Sequence, residues 1–126
     1  MDKAIKIIIA LFCIPLLILG IKAMFAPTGM FTKFGVTAMD ANGLNTIRGH
    51  LGGTLIAGSA MMAIGLWKNN TTWFLSVALF MLLIAFGRLV GFAFDGVAME
   101  AVPVFVGEIV ISALMFVAHK RFPAAK

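Results

Sequence analysis

The sequence predicts an all-α protein: a polytopic membrane protein of four transmembrane helices in one bundle, with both termini in the cytoplasm. Three observations predict it. The chain is apolar throughout, with 62% hydrophobic and 12% charged residues and a mean hydropathy of +1.08, whereas a soluble domain is typically about a quarter charged and about half apolar. Its apolar residues fall in four runs, each close to the ~20 residues that a helix needs to cross a hydrocarbon core of ~30 Å. Its lysines and arginines gather at one set of run ends. At 126 residues the chain has room for a single domain, 1–126, and none for a separate soluble module.

The first span covers about 4–24, with Lys3 and Lys6 near its start and Lys22 at its end. A signal peptide would need a short apolar core and a small-residue cleavage site. Pro27 spoils the junction after Ala26, and Lys22 weakens one between Ile21 and Ala23, so the segment is expected to be retained. The connector from Phe25 to Asn42 interleaves Met30, Phe31 and Phe34 with Thr32, Lys33 and Thr37 around Gly29 and Gly35. It reads as a plain connector on the outer surface, with Phe rings in lipid and Lys33 among head groups; capping the polar residues below it is the other reading.

The second span covers about 43–67, and its stretch from Leu51 to Trp67 carries no charge. Asn69, Asn70, Thr71 and Thr72 make a tight turn into the third span, about 72–94, broken only by Arg88. The fourth, about 102–118, opens with Pro103 in a first turn that tolerates it and is broken only by Glu108.

Placing both termini in the cytoplasm puts Lys3, Lys6, Lys68, Lys120, Arg121 and Lys126 inside and Lys22 and Lys33 outside. That is a clear positive-inside bias. Trp67 and Trp73 then bracket the inner turn as interfacial anchors, and the loop with Asp95 and Glu100 lies outside. The formal charge of +5 comes mostly from span-end residues, so it points to the bilayer and its anionic phospholipid, not to nucleic acid.

Arg48, His50, Arg88, Asp95 and Glu108 sit in or beside apolar stretches. A charge at the centre of a membrane helix costs about 2.5–3.5 kcal/mol on insertion scales, so such residues must be paired, hydrated or used. At ~1.5 Å per residue all five fall in the outer third of the bilayer. Arg88, Phe92 and Asp95 share one helical face, as do Asn45, Arg48 and Gly52. Asn45, Arg48, His50, Arg88, Asp95 and Glu108 are therefore expected to converge as a polar cluster. A guanidinium holds a carboxylate through two hydrogen bonds; the natural pairings are Arg88 with Glu108 and Arg48 with Asp95, but the sequence does not assign which arginine takes which carboxylate. The cluster reads either as interhelical glue or as a polar pocket for an anionic head group, a small solute or protons.

Gly49 with Gly53, and Gly87 with Gly91, form small-xxx-small steps that let membrane helices approach closely; with Gly52 they are the expected packing glycines. Whether that contact lies within the chain or between subunits stays open. Cys13 is the only cysteine and sits in an apolar run, so an intrachain disulfide and a cysteine-based zinc site are excluded. His50 and His119 fall near opposite membrane faces and cannot be axial partners of one haem; no cofactor and no metal is expected. The 9 methionines and 12 phenylalanines read as apolar fill.

The run Asn45-Thr46-Ile47-Arg48-Gly49-His50-Leu51-Gly52-Gly53, with Phe86-Gly87-Arg88-Leu89-Val90-Gly91 and then Asp95-Gly96, resembles a family of small bacterial inner-membrane proteins. That family is described only as a domain of unknown function, with a broad likeness to DoxX-like four-helix proteins. Pro27, Phe34-Gly35 and Glu108 match it as well, and the resemblance spans nearly the whole chain. It implies a multi-pass protein of the bacterial inner membrane and carries no activity. An acidic residue is often expected where His50 stands, so the charge balance here departs from the family's pattern.

Three function classes follow, in order. The first is a non-enzymatic accessory or structural subunit, a homo-oligomer or part of a larger membrane complex. The second is a small oligomeric transporter or a lipid- or solute-binding protein using Glu108 with Arg48 or Arg88. It would differ from the small multidrug exporters, whose acidic residue lies in the first helix; span one here has none. An intramembrane enzyme comes last, since the chain shows no Ser/His/Asp set, no metal-ligand cluster and no phosphate-binding glycine loop.

Overall fold

In a computed structural model, which describes residues 3–122, the described chain is helices and turns with no strand. Four helices are long and apolar enough to cross a membrane: α1 (Lys3–Phe25), α2 (Ala41–Lys68), α3 (Thr72–Phe94) and α4 (Val102–Arg121). Lys126, counted above among the inner charges, lies outside the described residues.

α1 continues through Pro15. The proline removes one backbone donor, a loss that membrane helices tolerate where neighbours re-satisfy the freed group. The helix stops one residue before Ala26, because the residue ahead of Pro27 is pushed out of helical geometry. A short helical turn, Pro27–Met30, runs on through Phe31–Phe34 and ends at Gly35, whose φ of +63° is accessible mainly to glycine. Met30 and Pro27 are buried and Phe31 and Phe34 half-buried, while Lys33 is exposed. Met30 therefore faces protein, not lipid, as a consequence of this turn folding back onto α1.

α2 is capped by Asp40, whose Oδ1 accepts from the Gly43 amide at 2.8 Å; a carboxylate at this place satisfies one of a helix's orphan donors. Between Ile47 and Gly52 the helix widens into a π turn before returning to α geometry at Gly53. It ends at Asn69 in left-handed conformation, φ 49°, and Asn70 Oδ1 accepts from the Thr72 amide at 3.0 Å to close the turn into α3. A 3-10 turn, Met99–Ala101, leads into α4 with Pro103 in its first turn.

The helices pair as α1 with α2 and α3 with α4, and α2 meets α3. One end of the bundle thus carries the start of α1, the α2–α3 turn and the end of α4: the terminal end. The other carries the 26–40 connector and the loop after α3: the connector end. The buried apolar core lies in the terminal half. Ile9 and Cys13 of α1, Met62 of α2, Phe74, Val77, Ala78 and Met81 of α3, and Ile111, Met115 and Ala118 of α4 build it. Three polar side chains add ties: Cys13 Sγ donates to the Ser59 carbonyl (3.3 Å), Ser112 Oγ to the Ala78 carbonyl (2.8 Å), and His119 Nδ1 to the Thr71 carbonyl (3.0 Å).

Candidate functional site

The connector half is where the charged residues of the spans lie, and their contacts run within each helix pair. Arg88 leaves α3 on the face that carries Ala85 and Met81, three and seven residues earlier, both buried in the terminal direction. Glu108 leaves α4 on the face of Ile111 and Met115, three and seven residues later, also buried. The apolar core therefore ends, toward the connector, on a charged pair. Arg88 Nε donates to both Glu108 oxygens at 2.9 Å. The Glu108 side chain is 11% exposed and that of Arg88 32%.

One turn nearer the connector end, Phe92 of α3 and Phe105 of α4 meet edge to face, with centroids 5.8 Å apart and planes at 71°. This geometry suits the aromatic quadrupoles, and both rings lie between the ion pair and the loop after α3 along their helices. An interhelical polar contact in a membrane averages only about 0.6 kcal/mol, with a maximum near 1.7, but stripping one partner leaves the other charge uncompensated and costs several kcal/mol. The pair fixes α3 against α4 more by what its loss would cost than by what it adds.

Arg48 goes elsewhere. It sits in the π turn, and its Nη1 donates to the Met24 carbonyl in the last turn of α1. That carbonyl has no partner within its own helix, and a cation at a helix C-terminus is favourable. Gly52 lets the two helices meet there: a Cβ on it would stand 2.9 Å from the Met24 backbone nitrogen. The expected pairing of Arg48 with Asp95 is not formed. Asp95 falls just past the end of α3, where its amide closes the helix on the Gly91 carbonyl at 2.7 Å, and its side chain is exposed. Asn45 and His50 are exposed too. Among the described residues, Asn45, His50 and Asp95 make no side-chain hydrogen bond or ion pair. Of the six expected members, the structure brings Arg88 and Glu108 together and turns Arg48 to α1.

The glycines divide in the same way. Gly52 is a close-approach position. Gly49, Gly53 and Gly87 have nothing within 4 Å of where a Cβ would stand, and Gly91 meets only the Asp95 Oδ2 at 3.8 Å. Neither small-xxx-small step is a helix contact within the chain. The tight crossings are at Gly20, 2.8 Å from Ile56, and at Gly65, 2.6 Å from the Phe74 ring. Neither stands out in the sequence, because a single glycine opposite a large residue leaves no periodic signal. Among the described residues no group of three His, Cys, Asp or Glu could hold a metal ion.

Neither the curated proteins nor the solved structures compared with the chain give a match. The profile of the DUF4345 family, described as a domain of unknown function, matches residues 4–119. Nearly all of the chain, the Arg88–Glu108 pair and the π turn included, lies within that match, and the protein belongs to the DUF4345 family.

Proposed function

We propose that this chain is a non-enzymatic membrane protein that works by packing: a small accessory or structural subunit, in a homo-oligomer or a larger complex, in the bacterial inner membrane. Its termini face the cytoplasm, where Lys3, Lys6, Lys68, Lys120 and Arg121 at the terminal end meet anionic phospholipid. One observation carries the reading. The apolar core that all four helices share lies in the terminal half, while the described side-chain contacts of the connector half stay within each helix pair. Small faces there, at Gly49, Gly53 and Gly87, have no intrachain neighbour and are suited to close approach by another helix.

The test is purification in nanodiscs followed by native mass spectrometry. A fixed oligomer or a stoichiometric protein partner is the expected result. A monomer at every lipid ratio, with nothing bound to it, would sink the subunit reading. For orientation, an impermeant maleimide on intact cells should label Gly96→Cys and spare Asn69→Cys, in a Cys13→Ser background; the reverse pattern overturns the topology.

A second reading has its own observation. Glu108 is buried at membrane depth beside a cation, as a proton-coupling carboxylate would be. A lipid- or solute-handling protein using Glu108 with Arg88 or Arg48 would show proton-linked flux or binding, abolished by changes at this pair.

A further inference from the structure

The way Arg88 is held leaves most of it unused. A guanidinium carries five N–H donors in a rigid fork. Glu108 takes only the Nε–H, with both of its oxygens, and Arg88 makes no other hydrogen bond among the described residues. The usual side-by-side carboxylate pairing, which would occupy an Nη as well, is not the one formed. Nor are the two Nη groups sealed away: no buried side-chain nitrogen or oxygen in the described chain lacks a partner, so these donors open onto accessible space. They do so roughly 9 Å in from the connector end of α3, six residues before Phe94 at ~1.5 Å per residue. At that depth a donor that faces no acceptor is costly.

We propose that the Nη edge of Arg88 binds an oxyanion, a carboxylate or phosphate group, with Glu108 as the residue that orients the guanidinium and sets its affinity. This deepens the lipid- or solute-binding reading and rests on it, but requires neither transport nor a protein partner. The Nη edge supplies two parallel donors spaced for two oxygens of one anion. The Nε bond to Glu108 fixes the plane of the fork, and the Phe92–Phe105 contact walls it on the connector side. Glu108 has a second effect. Its charge offsets that of Arg88, so an arriving anion meets a nearly neutral pair, and the bound state is weak and exchangeable. Two sources present this chemistry: the head group of an acidic lipid and a free anion from the aqueous side.

The decisive comparison pits Glu108→Gln against Arg88→Gln. Glutamine still accepts from Nε while removing the opposing charge, so Glu108→Gln should tighten oxyanion binding by about tenfold or more. Arg88→Gln should weaken it by a similar factor or abolish it. A purely structural pair predicts no such opposite signs. Binding is read by native mass spectrometry from phosphatidylcholine nanodiscs doped with phosphatidylglycerol, and separately by the thermal shift produced by inorganic phosphate. Phosphatidylglycerol retained against excess phosphate assigns the site to a lipid head group; a phosphate shift in pure phosphatidylcholine assigns it to a free anion. If a single variant fails to fold, the double Arg88→Leu/Glu108→Leu variant, which removes the pair whole, should fold and bind neither probe. Binding by the double variant equal to that of the unmodified protein, no binding of either probe to the unmodified protein, or equal losses in both single variants would each overturn the proposal. Absence of proton-linked flux alongside intact binding would instead remove only the transport part of the second reading.

Discussion

The two halves of the bundle are held by different means. Around Phe74, apolar side chains from all four helices interlock, and a glycine, Gly65, brings α2 against the aromatic ring. Around Arg88, one edge-to-face contact, Phe92 with Phe105, stands beside contacts that are polar or at the backbone, and each stays inside one helix pair: Arg88 with Glu108, Arg48 with the Met24 carbonyl, Gly52 against Met24. Lipid gives helices no hydrophobic drive to associate, so the terminal half depends on shape, while the connector half depends on satisfying charge and backbone. The first kind of contact tolerates little change in volume. The second tolerates volume change where the face is open but little change in charge.

Substitutions can break this contrast, and the largest effect is expected in the terminal half. Phe74→Ala should cost about 3–5 kcal/mol, as deletion of a fully packed aromatic does, measured by reversible unfolding in mixed micelles; a cost under about 1 kcal/mol would show that the half is not close-packed. Next is Glu108→Leu with Arg88 kept. It should cost about 3 kcal/mol, the lower end for an orphaned partner of a buried pair, because the Arg88 side chain is 32% exposed. The double leucine variant should recover most of that loss.

Gly52→Ala comes third, at about 2 kcal/mol, since its Cβ would meet the Met24 backbone, which cannot step aside as a side chain can. The smallest effect has the opposite sign. Gly87→Ala meets open space and should raise helix stability by up to about 1 kcal/mol. If it instead weakens association between chains while leaving the monomer intact, Gly87 belongs to an interface, and the subunit reading gains a surface.

The class of fold was legible because its signal is long: four apolar runs separated by Pro27, the Asn69–Thr72 turn and the Asp95–Glu100 loop are each many residues of agreement. The matching depth of Arg88 and Glu108 was legible from counting along two antiparallel helices, but their pairing was not assigned, because Arg48 and Asp95 fall at a similar depth. The contact of Arg48 was not legible, since its partner is a backbone carbonyl, and every residue has one. Of the expected packing glycines, only Gly52 makes a close approach within the chain. The spacing of Gly49 and Gly53 says that a close contact is affordable there but nothing about what stands opposite, and Gly20 and Gly65 have no spacing to show. The burial of Met30 in the connector was not legible for a related reason: alternation along a short segment does not reveal which side the chain folds toward.

The π turn between Ile47 and Gly52 has a consequence for how this chain tolerates insertions and deletions. A π turn holds one residue more than an α turn, so it is the natural scar of a single-codon insertion in a regular helix. Deleting one residue from 47–52 should restore the α ladder without breaking α2, and would leave the helix before and after the turn on its present faces, because the turn absorbs its surplus residue locally. Within the turn the side chains would change direction, so Arg48, or whatever then took its place, would swing off the Met24 carbonyl, while the Asp40-capped start of the helix would stay in place. What the surplus residue sets is therefore the aim of Arg48 at α1, not the register of the connector.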